Sequence, residues 1–149
     1  MGKICTFFGH RDAPLALESS IEKQVRKLIT EENVDTFWIG GYGRFDSLAT
    51  RVLNKLQKDF PDISIILIIA YPRQLHRYGE IFPFDSFDYP PEVESAPYKF
   101  AISARNRYMA KNTDFVIAYI NREYGGAYDA VNIAQNNKKN VLFINDKID

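Results

Sequence analysis

Ile63-Ser64-Ile65-Ile66-Leu67-Ile68-Ile69-Ala70 is the stretch that decides the fold. Apart from Ser64 it is unbroken apolar sequence, dominated by β-branched isoleucine. It is too short to cross a bilayer, which takes about 20 apolar residues in a helix. Polar and apolar residues do not alternate in it, so it does not describe a strand with one wet face. A short run of this kind fits a strand covered on both faces, the environment of a parallel sheet flanked by helices.

The sequence on either side repeats the theme. Upstream, Pro61 closes a helical segment over 47–58, whose Leu48, Val52, Leu53 and Leu56 fall on one stripe. Before it, Thr36 to Ile39 reads as a strand ended by Gly40 and Gly41. Residues 17–32 read as a helix with Leu17, Ile21, Val25, Leu28 and Ile29 on one face, and Ser19 with Glu22 has capping-box spacing. Lys3 to Phe8 is a first strand, ended by Gly9. Downstream, residues 71–100 break the rhythm: they are rich in proline and in aromatics such as Tyr78, Phe82, Phe84, Phe87 and Tyr89, and they read as a long loop, a lid or a contact surface. A helix over 101–111, a strand over 114–120, a helix over 127–137 and a strand over 140–144 complete the chain. Strands alternating with helices predict a three-layer α/β Rossmann-like fold over residues 1–149 as a single domain. Its sheet is expected to be mainly parallel, with five strands in the order 3-2-1-4-5 and helices on both faces.

Composition narrows the function. The chain has 149 residues, of which 46% are hydrophobic, enough to fill one core. Cys5 to Phe8 is followed at once by Gly9, His10 and Arg11, which is not a signal-peptide pattern, and a cytoplasmic location is expected. Cys5 is the single cysteine, so no internal disulfide forms; its apolar neighbours make it a buried core thiol. Lysine plus arginine balances aspartate plus glutamate at 19 each. Binders of nucleic acid usually carry a basic excess, so the zero formal charge argues against a nucleic-acid partner unless a local basic patch hides in the neutral total.

In an open parallel sheet, ligands bind beyond the carboxyl ends of the strands. Three strands here end in glycine-bearing loops: Gly9-His10-Arg11, Gly40-Gly41-Tyr42-Gly43-Arg44-Phe45-Asp46, and Tyr124-Gly125-Gly126-Ala127. Glycine lets backbone amides approach an anion, and a following helix N-terminus adds partial positive charge. Together they point to a phosphate or nucleotide site. The second loop is neither GxGxxG nor a Walker P-loop, because no Gly-Lys-Ser/Thr follows. His10 and His76 are the only histidines and show no metal-ligand spacing, so neither a metal nor a cofactor is called for. His10 either contacts a phosphate or packs at a strand end. Arg11 is read as an anion ligand. Arg44 reaches either a phosphate or solvent, and Asp46 binds a ribose hydroxyl or caps a helix.

The order of these segments resembles the SLOG superfamily, Rossmann-like domains related to the Smf/DprA proteins and to the LOG phosphoribohydrolases. The matching pieces are Gly9-His10-Arg11, Gly40 to Ala49, Arg105-Asn106-Arg107-Tyr108-Met109, Asp114 to Ala118 and Gly125-Gly126, with the aromatic segment unmatched. The resemblance implies a nucleotide-type ligand above strands one and four. It implies that Arg105 helps to hold a sugar-phosphate and that Gly125 and Gly126 form a phosphate-binding turn. It also exposes a departure. The hydrolase branch reads Pro-Gly-Gly-x-Gly-Thr-x-x-Glu, and this chain has Tyr128, Asp129 and Asn132 where that branch has its third glycine, threonine and glutamate. An amide cannot serve as a general acid or base near neutral pH.

These readings favour a binding protein that senses or sequesters a nucleotide or nucleotide derivative, over a LOG-like hydrolase or transferase acting on an N-glycosidic or phosphate bond, and over an interaction subunit that has lost its ligand. The expected ligand-binding set is Gly9, His10, Arg11, Gly40, Gly41, Gly43, Arg44, Asp46, Arg105, Asn106, Gly125 and Gly126. A homodimer or larger oligomer is expected from the apolar surface of the aromatic segment.

Overall fold

A computed structural model describes residues 2–81 and 83–145; the side chains of residues 79–81 are not described. Phe82, among the aromatics singled out in the sequence, lies outside the described residues. The chain runs β1 (Lys3–Gly9), α1 (Glu18–Glu31), β2 (Val34–Ile39), α2 (Gly43–Leu56), β3 (Ser64–Ile68), α3 (Arg73–Ile81), β4 (Ser86–Asp88), α4 (Pro91–Glu94), α5 (Ala101–Asn112), β5 (Phe115–Tyr119), α6 (Gly126–Asn136) and β6 (Asn140–Phe143).

The isoleucine run is β3, and it lies inside the sheet. Ile66 to Ile68 pair with Ser86 to Asp88 on one side, and Ser64 to Leu67 pair with Thr36 to Ile39 on the other. Every strand pairing is parallel. Side chains alternate between the two faces. Phe7, Phe37, Ile39, Ile65, Leu67 and Ile117 join Ile21, Val25, Leu28, Leu48, Val52 and Leu53 of α1 and α2 in one core. Phe8, Trp38, Ile68, Val116 and Ala118 join Met109, Ala110, Ala130, Val131 and Ala134 of α5 and α6 in a second core. Two wet-free faces explain why β3 carries no polar alternation. Cys5 is fully buried in the first core, and burial pushes its thiol pKa well up.

The structure corrects the expected sheet and the segment beside it. Among the described residues there are six strands in the order β4-β3-β2-β1-β5-β6, where five in the order 3-2-1-4-5 were expected. The added strand comes from residues 71–100, which are not a structureless loop: they hold α3, β4 and α4. α3 starts directly after Pro72 and packs Leu75 and Tyr78 onto the first core. β4 is only 3 residues long, too short for any periodicity to announce it.

Two helix starts also differ from the sequence reading. α1 is entered through a 3-10 turn, Leu15–Leu17, and Leu17 takes the cap position without a side-chain hydrogen bond. The capping box expected from Ser19 and Glu22 does not form; Glu22 pairs with Arg26 and Lys55 instead. α2 begins at Gly43, so Asp46 lies within its first turn and not at its cap.

Candidate functional site

β1 lies between β2 and β5, and the connections from the two sides leave in opposite directions. Such a reversal opens a crevice beyond the carboxyl ends of the strands. A cleft of about 310 Å³ occupies this position. The loop after β1 supplies Gly9, His10 and Arg11 to it, α2 supplies Asp46, α5 supplies Arg105 and Asn106, and Gly125 and Gly126 open α6 at its far wall. These eight were anticipated from the sequence, and the fold gathers them. Gly40, Gly41, Gly43 and Arg44 do not line the cleft. Gly40 lies behind Arg105, Gly41 lines a neighbouring depression, and exposed Arg44 donates from Nη1 to the Ala13 carbonyl at 3.4 Å.

Arg105 is 97% buried by residue surface, since only 3% of it is exposed. Its Nη1 donates to the Gly40 carbonyl at 2.5 Å, and its Nε and Nη2 donate to Asn106 Oδ1 at 3.3 and 3.0 Å. Its guanidinium also faces the Tyr42 ring, 5.4 Å from the centroid. A Cβ on Gly40 would lie 2.9 Å from Arg105 Cζ, so a larger residue at the end of β2 would push the guanidinium from its place. The Gly40 carbonyl accepts a second bond from Gln74 Nε2 at 2.9 Å, tying α3 to the same point. The Arg105 guanidinium has no carboxylate within ion-pair distance among the described pairs. The charge that acts on it is that of Asp46.

Asp46 is buried, and its Oδ2 accepts the backbone N–H of Tyr42 at 3.1 Å. Burial raises its pKa to about 6, against the opposing pull of Arg105 and of the Tyr42 and Gly41 amides. Its carboxylate is therefore spent on closing the loop that precedes α2.

His10 is 3% exposed, and its ring meets Tyr119 edge to face at 6.2 Å between centroids. Its Nε2 is buried without a hydrogen-bond partner among the described residues. Burial, and then the nearby Arg122 charge, lower its pKa, so the ring is neutral near pH 7. A buried polar atom left unpaired at a cleft wall is an open position for a hydrogen bond.

Sequence reading missed Tyr42 and Arg122, both of which line the cleft. Arg122 pairs with Asp12 at 3.2 Å and lies over the ring of Tyr124, 5.6 Å from its centroid. Its position one turn ahead of Gly125-Gly126, beyond β5, was the signal available in the sequence.

The cleft does not end at Tyr42. That residue also lines a second depression of about 250 Å³ with Arg73, Gln74 and Arg77. Arg73 in turn borders a third, of about 280 Å³, walled by Tyr71, Tyr89, Tyr98 and Val93. The three share boundary residues and follow the carboxyl edge of the sheet from β5 to β4. Among the described residues, five arginines (Arg11, Arg73, Arg77, Arg105 and Arg122) and two carboxylates, Asp46 and Glu94, line them. No group of three or more His, Cys, Asp or Glu side chains able to hold a metal ion occurs among the described residues. Among them, no helix is long and apolar enough to cross a membrane.

Such a sheet, crevice and glycine-bearing edge define a Rossmann-like α/β protein of the SLOG type. The chain belongs to the YspA SLOG family, whose model matches residues 3–146. No curated protein matches it. Among solved structures it is similar to DNA processing protein A (DprA) from Streptococcus pneumoniae, at 22% identity and a TM-score of 0.72, covering 99% of this chain and 52% of that one. It is also similar to DNA processing protein A from Helicobacter pylori, at 17% identity and a TM-score of 0.68, covering 99% of this chain and 67% of that one. The chain thus spans about half the length of the S. pneumoniae protein.

These likenesses correct two expectations. The H. pylori protein is described by its single-stranded DNA binding mode, so this fold is found in a protein that takes a nucleic-acid strand. That overturns the expectation of a small nucleotide as the ligand. It also overturns the inference from zero formal charge that nucleic acid is not a partner. The charge argument averaged over the surface, whereas five of the nine arginines line depressions along one edge of the sheet.

Proposed function

We propose that the protein binds single-stranded DNA along the carboxyl edge of its sheet. The observation that carries this reading is the row of three neighbouring depressions, lined among the described residues by five arginines and two carboxylates, in a chain whose total charge is zero. A single strand needs a positive groove that follows its backbone and aromatic faces on which its bases stack. The edge offers both, with Tyr42, Tyr71 and Tyr98 interleaved among the arginines.

Within this track, the cleft at β1 and β5 is the phosphate-holding end. Exposed Arg11, the His10 Nε2, and the amides of Gly125 and Gly126 at the start of the 11-residue helix α6 converge there. A helix N-terminus with free N–H groups favours an anion. Arg105 and Asp46 are the frame of the cleft, because their polar atoms are already engaged with each other's surroundings. Asn106 Oδ1 is likewise taken by Arg105, which leaves its amide nitrogen for a strand.

Fluorescence anisotropy with a labelled single-stranded oligonucleotide tests the reading. Wild-type protein is expected to bind the strand, to prefer it to a duplex of the same sequence, and to lose affinity steeply as salt rises. Arg11→Ala combined with Arg77→Ala should weaken binding at least tenfold. Absence of binding at low salt, or full affinity in the double variant, would overturn it.

A further inference from the structure

We propose that Tyr71, Arg73 and Tyr98, with the cleft they border, form a seat for one unstacked base of the bound strand. The proposal rests on the single-strand reading above and adds a place where a base, not a phosphate, is held.

The first observation is a pre-formed aromatic platform. The Tyr71 and Tyr98 rings are 4.6 Å apart between centroids and tilted by 37°. The Arg73 guanidinium lies 4.6 Å from the Tyr71 centroid and 5.5 Å from that of Tyr98. Tyr71 donates from its hydroxyl to the Tyr98 carbonyl at 2.7 Å, and Arg73 Nη1 donates to the Tyr98 hydroxyl. Both phenol oxygens are therefore engaged within the cluster, yet Tyr98 remains 64% exposed. An exposed ring whose polar tip is already satisfied and whose orientation is fixed has only its flat face to offer. Little ordering entropy remains to be lost when a base stacks on it.

The second observation is the character of the cleft beside that platform. Its volume is about 280 Å³, and Ala70, Val93, Tyr89 and Ala101 give it an apolar floor. Ala70, Val93 and Ala101 are buried together in a small core of their own, so the floor is rigid. Its charged members are Arg73 and the exposed Glu94. A carboxylate at the wall repels a phosphate and accepts N–H groups from a base edge. Arg73 has no carboxylate partner among the described ion pairs, and it also lines the neighbouring depression that holds Arg77. Charge thus separates the two compartments: the strand's phosphate belongs on the Arg73 and Arg77 side, and the attached base turns into the apolar cleft.

The test compares two 12-nucleotide probes, one a normal single strand and one of the same length made of abasic sugar-phosphate units. Affinities are read by anisotropy for wild type, Tyr98→Ala and Tyr98→Phe, each checked for fold by circular dichroism. Wild type should bind the base-bearing probe more tightly. Tyr98→Ala should lose roughly 5- to 100-fold on that probe and little on the abasic one, the range expected for loss of one base–aromatic stack. Tyr98→Phe, which keeps the ring, should recover most of the loss. Equal affinity of wild type for both probes would overturn the base seat while leaving the single-strand reading standing. So would a loss in Tyr98→Ala that is the same on both probes. No binding of either probe by wild type would overturn both.

Discussion

The guanidinium of Arg105 donates to the Gly40 carbonyl at 2.5 Å and occupies the space that a side chain at Gly40 would need, joining α5 to the end of β2. The contact needs both partners: the arginine for its planar fork, and the glycine for the space in front of it. Gly40→Ala places a methyl group 2.9 Å from Arg105 Cζ, and a guanidinium pushed aside gives up its bond to the Gly40 carbonyl. The substitution should destabilise the protein by about 1–3 kcal/mol, the usual cost of overpacking. Chemical denaturation should show a lower midpoint with an unchanged slope. A midpoint equal to wild type would mean that Arg105 swings aside freely.

The same contact changes what removal of Arg105 does. The resemblance read from the sequence gives Arg105 a role in holding the ligand. In the structure, the side chain satisfies the Gly40 carbonyl and balances buried Asp46. Its loss should therefore lower stability by about 1–3 kcal/mol, the cost of taking a partner from a buried polar group. Arg105→Ala combined with Asp46→Asn should recover part of that loss. A thermal shift for the double variant as large as for Arg105→Ala alone would refute the coupling.

Asp46 gives a pH signature of defined sign. Its pKa is raised from the ordinary 3.8 to about 6, so the folded state holds a proton that the unfolded chain releases earlier. The Asp46 contribution to stability is thus most favourable below pH 4, falls as pH rises to about 6, and stays low above that. The difference is about 3 kcal/mol. The stability of wild type relative to Asp46→Asn should rise as pH falls from 8 towards 4, because only the carboxyl takes up a proton on that path. Urea titrations at the two pH values decide it: a gap independent of pH would show that the carboxylate is not the titrating group.

Much of this architecture is legible in the chain, and the exceptions share a cause. β3 announces itself because two covered faces leave an isoleucine run with no polar alternation. Leu48, Val52 and Leu53 mark the inner stripe of α2 for the same reason. β4 could not be read, because Ser86 to Asp88 is held by the backbone of β3 and its own side chains carry no pattern. The start of α2 was misplaced because the loop is closed by Asp46 reaching back to Tyr42, a tertiary detail that a cap-like residue in the sequence imitates. At the site, eight residues were legible because glycine and arginine after a strand are chemically suggestive. Tyr42 was not, since an aromatic in a glycine loop looks like filler until it is seen to wall the depressions on either side of it. Net charge misled most: it is a sum over the surface, and binding depends on where the charges lie.

Cys5 should be inert in the native protein. It is fully buried between β2 and β5, and burial raises its thiol pKa far above the reactive range. A disulfide reagent should modify it only as fast as the protein opens, and should react at once in denaturant. Rapid stoichiometric labelling of folded protein at pH 8 would contradict the core packing.

Salt dependence offers the sharpest reading of the arginine track. Each phosphate neutralised by a side chain releases condensed counterions, and for a single strand the slope of log K against log salt changes by about 0.7 per contact. Arg11 and Arg77 are exposed, and neither is held by a carboxylate among the described ion pairs. Replacing either with alanine should reduce the slope by roughly that amount and weaken binding similarly for every strand sequence, because phosphates carry no sequence information. Arg44→Ala serves as the control: Arg44 lies outside the cleft and its guanidinium is turned to the Ala13 carbonyl, so the slope should not move. Lys111, exposed at the far end of α5, is a second control on the opposite edge of the sheet. If Arg44→Ala or Lys111→Ala flattens the slope as much as Arg11→Ala and Arg77→Ala do, the strand is held by diffuse surface charge and the track has no preferred path.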